Sequence, residues 1–167
     1  AKHGWPADIR VGSLPIRAMS RGSHINVCFV LGEIDVRVFL GAQIAAGSVD
    51  LSFAPRYVSR CLGLARTMGA TPVIVVPVPP YGSPDPEHEY PRVSSLRSRI
   101  AAHQRLRKAL SEAAAQANVK IFDATPLLAS PNGELRDDLT DDGFHLNVAG
   151  AERFAAGWLL LHQIKVE

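Results

Sequence analysis

Three short runs rich in β-branched residues, Ile25 to Leu31, Thr71 to Val78 and Val119 to Asp123, are each bounded by Gly, Pro or Asp. Stretches with helical spacing lie between and after them: Pro55 to Met68, Ser94 to Ala117 and Val148 to His162. Apolar runs of this length, without polar alternation, are what strands covered on both faces require. The order β-α-β-α-β-α therefore predicts an α/β sandwich with a mainly parallel sheet. A chain of 167 residues with 47% hydrophobic residues is enough for one domain, assigned to residues 1–167.

Charge and composition exclude several roles. The 18 Lys and Arg against 16 Asp and Glu leave +2, scattered rather than concentrated, which argues against nucleic-acid binding. No apolar run approaches the roughly 18 to 20 residues of a membrane span. No phosphate loop of either glycine-rich type is present, which removes a nucleotide-binding role. Cys28 and Cys61 lie in apolar segments without metal-binding spacing, so both are expected as buried free thiols in a cytoplasmic setting. The acidic group Asp85, Glu87, His88 and Glu89 falls in the proline-rich stretch Pro79 to Pro91, a solvated surface loop. No metal and no cofactor is expected. Asp138, Thr140, Asp142 and Gly143 partly mimic a calcium loop, but Ala149 stands where its final Glu belongs.

In the last helix Val148, Ala151, Ala155, Trp158, Leu159 and His162 share one face at three- and four-residue steps, and Asn147 is placed as its N-cap. In the middle helix Ile100, Leu106, Leu110, Ala113 and Ala117 face inward. Arg97, Arg99, Arg105, Arg107 and Lys108 are assigned to a solvated face.

Chemistry concentrates in two segments. The first is Asp141-Asp142-Gly143-Phe144-His145-Leu146-Asn147, after the third strand and just before the last helix. Loops at the carboxyl ends of parallel strands are where α/β sheets place their sites. An Asp three residues before a His, with a Gly to bend the chain, can fold its carboxylate onto the imidazole Nδ1–H. Nε2 is then left to take a proton from a nucleophile. A helix-start turn with a merely packed histidine is the alternative. The second segment, Gly32-Glu33-Ile34-Asp35-Val36-Arg37, is read as the end of the first strand, with Glu33, Asp35 and Arg37 pointing the same way at period two. These three form either a structural ion-pair group or a wall of the pocket.

Together the terminal DGxHL block and the GEIDxR block resemble the GDSL-type, or SGNH, hydrolase superfamily, in a branch where the usual GxND block reads GEID. The likeness runs from about Ile25 to Ile164, through Pro77-Val78-Pro79-Pro80, Arg99, Leu106, Phe122-Asp123 and Asn132-Gly133-Glu134-Leu135. It implies a flavodoxin-like three-layer sandwich. It also implies a Ser-His-Asp triad in which His145 is the base and Asp142 its orienting partner. Ile34 stands at the family's oxyanion Asn and cannot donate a hydrogen bond. The nucleophile block is not recognisable: Gly12-Ser13-Leu14 echoes it, but eighteen residues between Ser13 and Gly32 are too few for the helix and strand that intervene in the family. Val11 to Ser20 matches the family's second block better, with Gly12 as an oxyanion-hole residue. In the strand order 2-1-3-4-5 the central first strand is then the one not supplied. An amino-terminal fragment carrying that strand and the serine is expected as a partner.

The resemblance thus implies a serine acyl-ester hydrolase or acyltransferase acting on a small acyl ester, a carbohydrate-linked acyl group or a lipid. The opposing expectation is a non-catalytic carbohydrate-binding domain that keeps the fold and has lost the nucleophile.

Overall fold

The computed structural model of the chain describes residues 26–30, 32–82, 92–143 and 145–162. The strands β1 (Asn26–Val30), β2 (Thr71–Val75) and β3 (Lys120–Phe122) form one sheet in the order β1-β2-β3. Both pairings are parallel, with Cys28 opposite Val73 and Val75 opposite Phe122. This is the run that strands three, four and five make in a 2-1-3-4-5 sheet.

Helices cover both faces. A π-helical turn (Asp35–Leu40) continues into α1 (Gly41–Ala45), followed by α2 (Phe53–Thr67) and, after β2, by α3 (Leu96–Gln116). In α2 the buried residues Ala54, Val58, Cys61 and Ala65 form one stripe, and α3 buries Ala102, Leu106, Leu110 and Ala113 against it. Ile74 points from β2 into this layer, whereas Val73 and Val75 point to the opposite one. There they meet Phe122, Leu128 of α4 (Thr125–Leu128) and Leu139 of a 3₁₀ turn (Asp137–Leu139). Phe154 and Trp158 of α5 (Val148–His162) set their rings edge-on to Phe122, with centroids 4.9 and 5.4 Å away. The Asn147 side chain accepts from the Gly150 amide at 3.0 Å and caps α5 as expected.

Several expectations change. β2 ends at Val75 rather than Val78, because the chain leaves the sheet through Pro77, Pro79 and Pro80, which cannot donate to a ladder. Residues 79–82 are not a solvated loop but are buried or half-buried against α3; the rest of that loop, with Asp85, Glu87, His88 and Glu89, lies outside the described residues. On α5 the outward residues include Val148, Ala151 and Ala155, and Phe154 with Trp158 makes the packed face. Arg99 is fully buried and Arg107 pairs with Asp123, so only Arg97, Arg105 and Lys108 behave as a solvated face. Cys28 is exposed on the outer strand, while Cys61 is buried; both are free thiols. No described helix is long and apolar enough to cross a membrane.

One buried polar group fixes the segment that leads to the site. His103 of α3 donates from Nε2 to the Pro77 carbonyl at 2.9 Å, and burial lowers its pKa below the ordinary 6.5. The fold therefore favours the neutral ring, and protonation favours unfolding. His103 gives full stability above pH 6.5 and loses it as the pH falls through that value. Raised carboxyl pKa values elsewhere act in the opposite sense, so the variant difference is the informative quantity. Urea unfolding from pH 7.5 down to 5 should show a wild-type stability loss that is flattened in His103→Gln. Parallel pH profiles would assign the loss to other groups.

Candidate active site

Gly32, just past the end of β1, has φ +108°, and a Cβ there would come within 2.9 Å of Leu106 Cδ2. Glycine therefore turns the chain here. Beyond the turn the backbone is helical rather than extended. The period-two reading of Glu33, Asp35 and Arg37 is corrected: on a helix Glu33 and Arg37 are neighbours four apart, and Asp35 points elsewhere. Arg37 Nη2 lies 3.1 Å from Glu33 Oε2, with Arg37 buried and Glu33 half-exposed. Burial raises the Glu33 carboxyl above its usual 4.5, against the lowering pull of Arg37, His145 and Arg99. Burial also raises Asp35. Ile34 turns outward at the position of the expected oxyanion donor. A π-helical turn, rare in itself and common at functional sites, carries Arg37 to the cleft.

The Asp142–His145 loop is locally determined. The Thr140 hydroxyl accepts from the Gly143 amide at 2.8 Å and donates to the His145 carbonyl at 2.7 Å, closing the turn. Gly143 has φ +75°, a conformation the loop needs in order to reverse. Asp142 then meets His145 twice. Its Oδ1 accepts from the His145 backbone amide at 2.8 Å, and its Oδ2 lies 2.6 Å from Nδ1. A carboxylate only accepts, so Nδ1 carries the proton and Nε2 is the basic nitrogen of the neutral ring. Among the described residues no serine hydroxyl hydrogen-bonds to that imidazole.

A cleft beside this loop is lined by Glu33 and Arg37 from the helical turn, Tyr81 from the segment after β2, Arg92, Arg99 of α3, and Gly143. Arg99 holds the cleft floor: its Nε donates to the Ser94 carbonyl at 3.2 Å, Nη1 to the Tyr81 carbonyl at 2.8 Å, and Nη2 to the Gly82 carbonyl. Of the expected pocket residues, Glu33 and Arg37 are at the cleft and Asp35 is not. Gly12 and Ser13 lie outside the described residues. Tyr81, Arg92 and Arg99 are additions that periodicity could not single out, since it is tertiary folding that brings three chain segments together. No group of His, Cys, Asp and Glu among the described residues is arranged to hold a metal.

Arg37→Ala removes the guanidinium from a half-exposed Glu33. The expected cost is about 2 kcal/mol, between an exposed pair and a fully buried one. Thermal unfolding checks it, and a wild-type melting temperature would make the pair a surface ornament.

A three-layer α/β sandwich with a histidine–carboxylate pair at the carboxyl end of its parallel sheet is the frame of a hydrolase superfamily. Residues 36–153 match the model of the GDSL-like lipase/acylhydrolase family, and the chain belongs to that family. Among solved structures it is similar to a Streptococcus pneumonia protein provisionally assigned as a platelet activating factor, at 16% identity and TM-score 0.60, covering 83% of this chain and 59% of that one. It is similar to a carbohydrate acetylesterase from Sinorhizobium meliloti at 20% identity and TM-score 0.54, covering 96% and 72%. An acetylxylan esterase from Geobacillus stearothermophilus, solved as a catalytic mutant, matches at 15% identity and TM-score 0.52, covering 85% and 60%. At these identities the likeness is one of fold. The chain spans 59% of the length of the first of these structures. No curated protein matches it.

Proposed function

We propose that the chain supplies the base and its orienting carboxylate to a serine acyl-ester hydrolase or acyltransferase. The observation that carries this reading is the double contact of Asp142 with His145, which fixes the ring and leaves Nε2 as proton acceptor. A serine oxygen attacks the ester carbonyl as its proton passes to Nε2. The alcohol then leaves with that proton, and water or a sugar hydroxyl, deprotonated in turn by His145, accepts the acyl group. The Ile34 side chain contributes no oxyanion donor, so one donor comes from elsewhere, beside the Gly12 amide that the family resemblance assigns to the hole.

The nucleophile comes from an amino-terminal segment that adds a strand to the outer edge of β1. Support comes from the place of β1 at the end of the described order β1-β2-β3 and from its composition, Asn-Val-Cys-Phe-Val, which suits a strand with neighbours although Cys28 and Val30 are exposed on one of its faces. The carbohydrate acetylesterase and the acetylxylan esterase of the same fold make an acetylated sugar the first substrate to try.

The second reading is a carbohydrate-binding domain that keeps this fold without catalysis. Turnover of p-nitrophenyl acetate separates the two, together with the intact mass of the purified protein. Acetate release, with a serine-bearing segment in this chain or a companion, is the expected result. Sugar binding with no ester turnover would establish the binding domain instead.

A further inference from the structure

Arg92 does not lie on the surface as most arginines do. Its Nη1 donates to the Tyr81 carbonyl at 3.3 Å and occupies space that Gly82 leaves open. A Cβ on Gly82 would come within 2.7 Å of that nitrogen, and one on Gly143 within 3.4 Å. Both glycines have positive φ, +70° and +75°. The backbone after β2 thus makes room for the Arg92 guanidinium at Gly82, while Gly143 makes room for the Tyr81 ring, whose Cδ1 a Cβ would meet at 2.5 Å, with the Arg92 guanidinium in contact beside it. Arg37 and Arg99 line the same cleft, and among its described lining residues Glu33 is the one carboxylate. Gathering three cations has a cost: burial, then Arg92 and Arg37, pulls the Arg99 guanidinium down to about 10. An anion in the cleft would offset that repulsion, and the planar fork of arginine matches carboxylate and phosphate oxygens.

We propose that this cleft is an anion subsite, so that the ester placed against His145 is carried on a molecule bearing a carboxylate or a phosphate. Arg92 makes the contact. Arg37 and Arg99 set the field, and Gly143 joins the subsite to the loop that carries His145 two residues later. The position of the ester rests on the function proposed above, but the anion site stands on the cleft alone.

Titration of the 167-residue chain with D-glucuronate, D-glucose 6-phosphate and D-glucose, followed by calorimetry, tests this. At least one anion should bind, more weakly as salt rises, while glucose should not, and the stronger of the two identifies the anion class. Arg92→Gln should weaken that binding roughly ten- to hundredfold. Glu33→Gln should tighten it, a gain that misfolding cannot produce. Anions no better than glucose, an unchanged Arg92→Gln or a weakened Glu33→Gln would each overturn the proposal. Turnover of the uncharged p-nitrophenyl acetate is independent of the subsite, so an absent anion site with intact turnover, or the reverse, shows which of the two proposals has failed.

Discussion

His145→Ala is expected to lower ester turnover by at least about 10⁴-fold while leaving the melting temperature near that of the wild type. The large kinetic effect follows from the chemistry. In the proposed mechanism the loss of Nε2 leaves nothing to take the serine proton in the attack or return it to the leaving alcohol, and both half-reactions lose their base. The small stability effect follows from the geometry: the His145 side chain is 85% exposed, and its ring makes one described contact, to Asp142. The loop itself is closed by Thr140 through backbone groups that the substitution leaves in place. Asp142→Asn should sit between wild type and His145→Ala in rate, because an amide can hold the ring but can also present a donor to Nδ1 and favour the wrong tautomer. Turnover of an acetyl ester by the two variants, with thermal unfolding alongside, checks both halves. Near wild-type turnover in His145→Ala would remove the histidine from the mechanism.

Arg99→Met is expected to have the largest effect on stability, about 3 kcal/mol or roughly 6–12 °C in melting temperature. Methionine keeps much of the apolar stem but returns no donors. The carbonyls of Gly82 and Ser94 then lose their side-chain donor and that of Tyr81 keeps only Arg92, in a region half-buried to buried, each loss costing about 1 kcal/mol or more. The Tyr81–Gly82 turn would also lose the anchor that sets its distance from α3, so the cleft should open at the same time. Lys108→Met is the matched control, from a cation 77% exposed on the same helix, and should change the melting temperature hardly at all. Equal losses in the two variants would place the Arg99 effect in the helix itself rather than in its carbonyls.

These two residues also mark how far the sequence is legible. The Asp142–His145 contact is local: three residues, one bend and one hydroxyl determine it, and the spacing foretells it. The three parallel strands and the Asn147 cap are local in the same sense. Arg99 is different. Its carbonyl partners at Tyr81 and Gly82 are 18 and 17 residues away, so helical periodicity files it with the solvated cations Arg97 and Lys108. Glu33, Asp35 and Arg37 mislead for another reason, since alternation at period two cannot reveal that Gly32 turns the backbone out of the strand. With the turn in place Glu33 and Arg37 become an i,i+4 pair. The outer stripe of α5 misleads because alanines satisfy a helical period on more than one face, and the rings of Phe154 and Trp158 decide which face packs. The cleft leaves one trace in the sequence, the glycines Gly82 and Gly143, yet nothing in the chain order says that the first faces Arg92 and the second the Tyr81 ring.

The central claim, a serine made nucleophilic by His145, is tested most directly by the mass of the purified protein after reaction with a fluorophosphonate. The predicted result is one covalent adduct on one serine, in this chain or in an accompanying amino-terminal segment, strongly diminished in His145→Ala. No adduct in the wild type, or an equal adduct in His145→Ala, would contradict it.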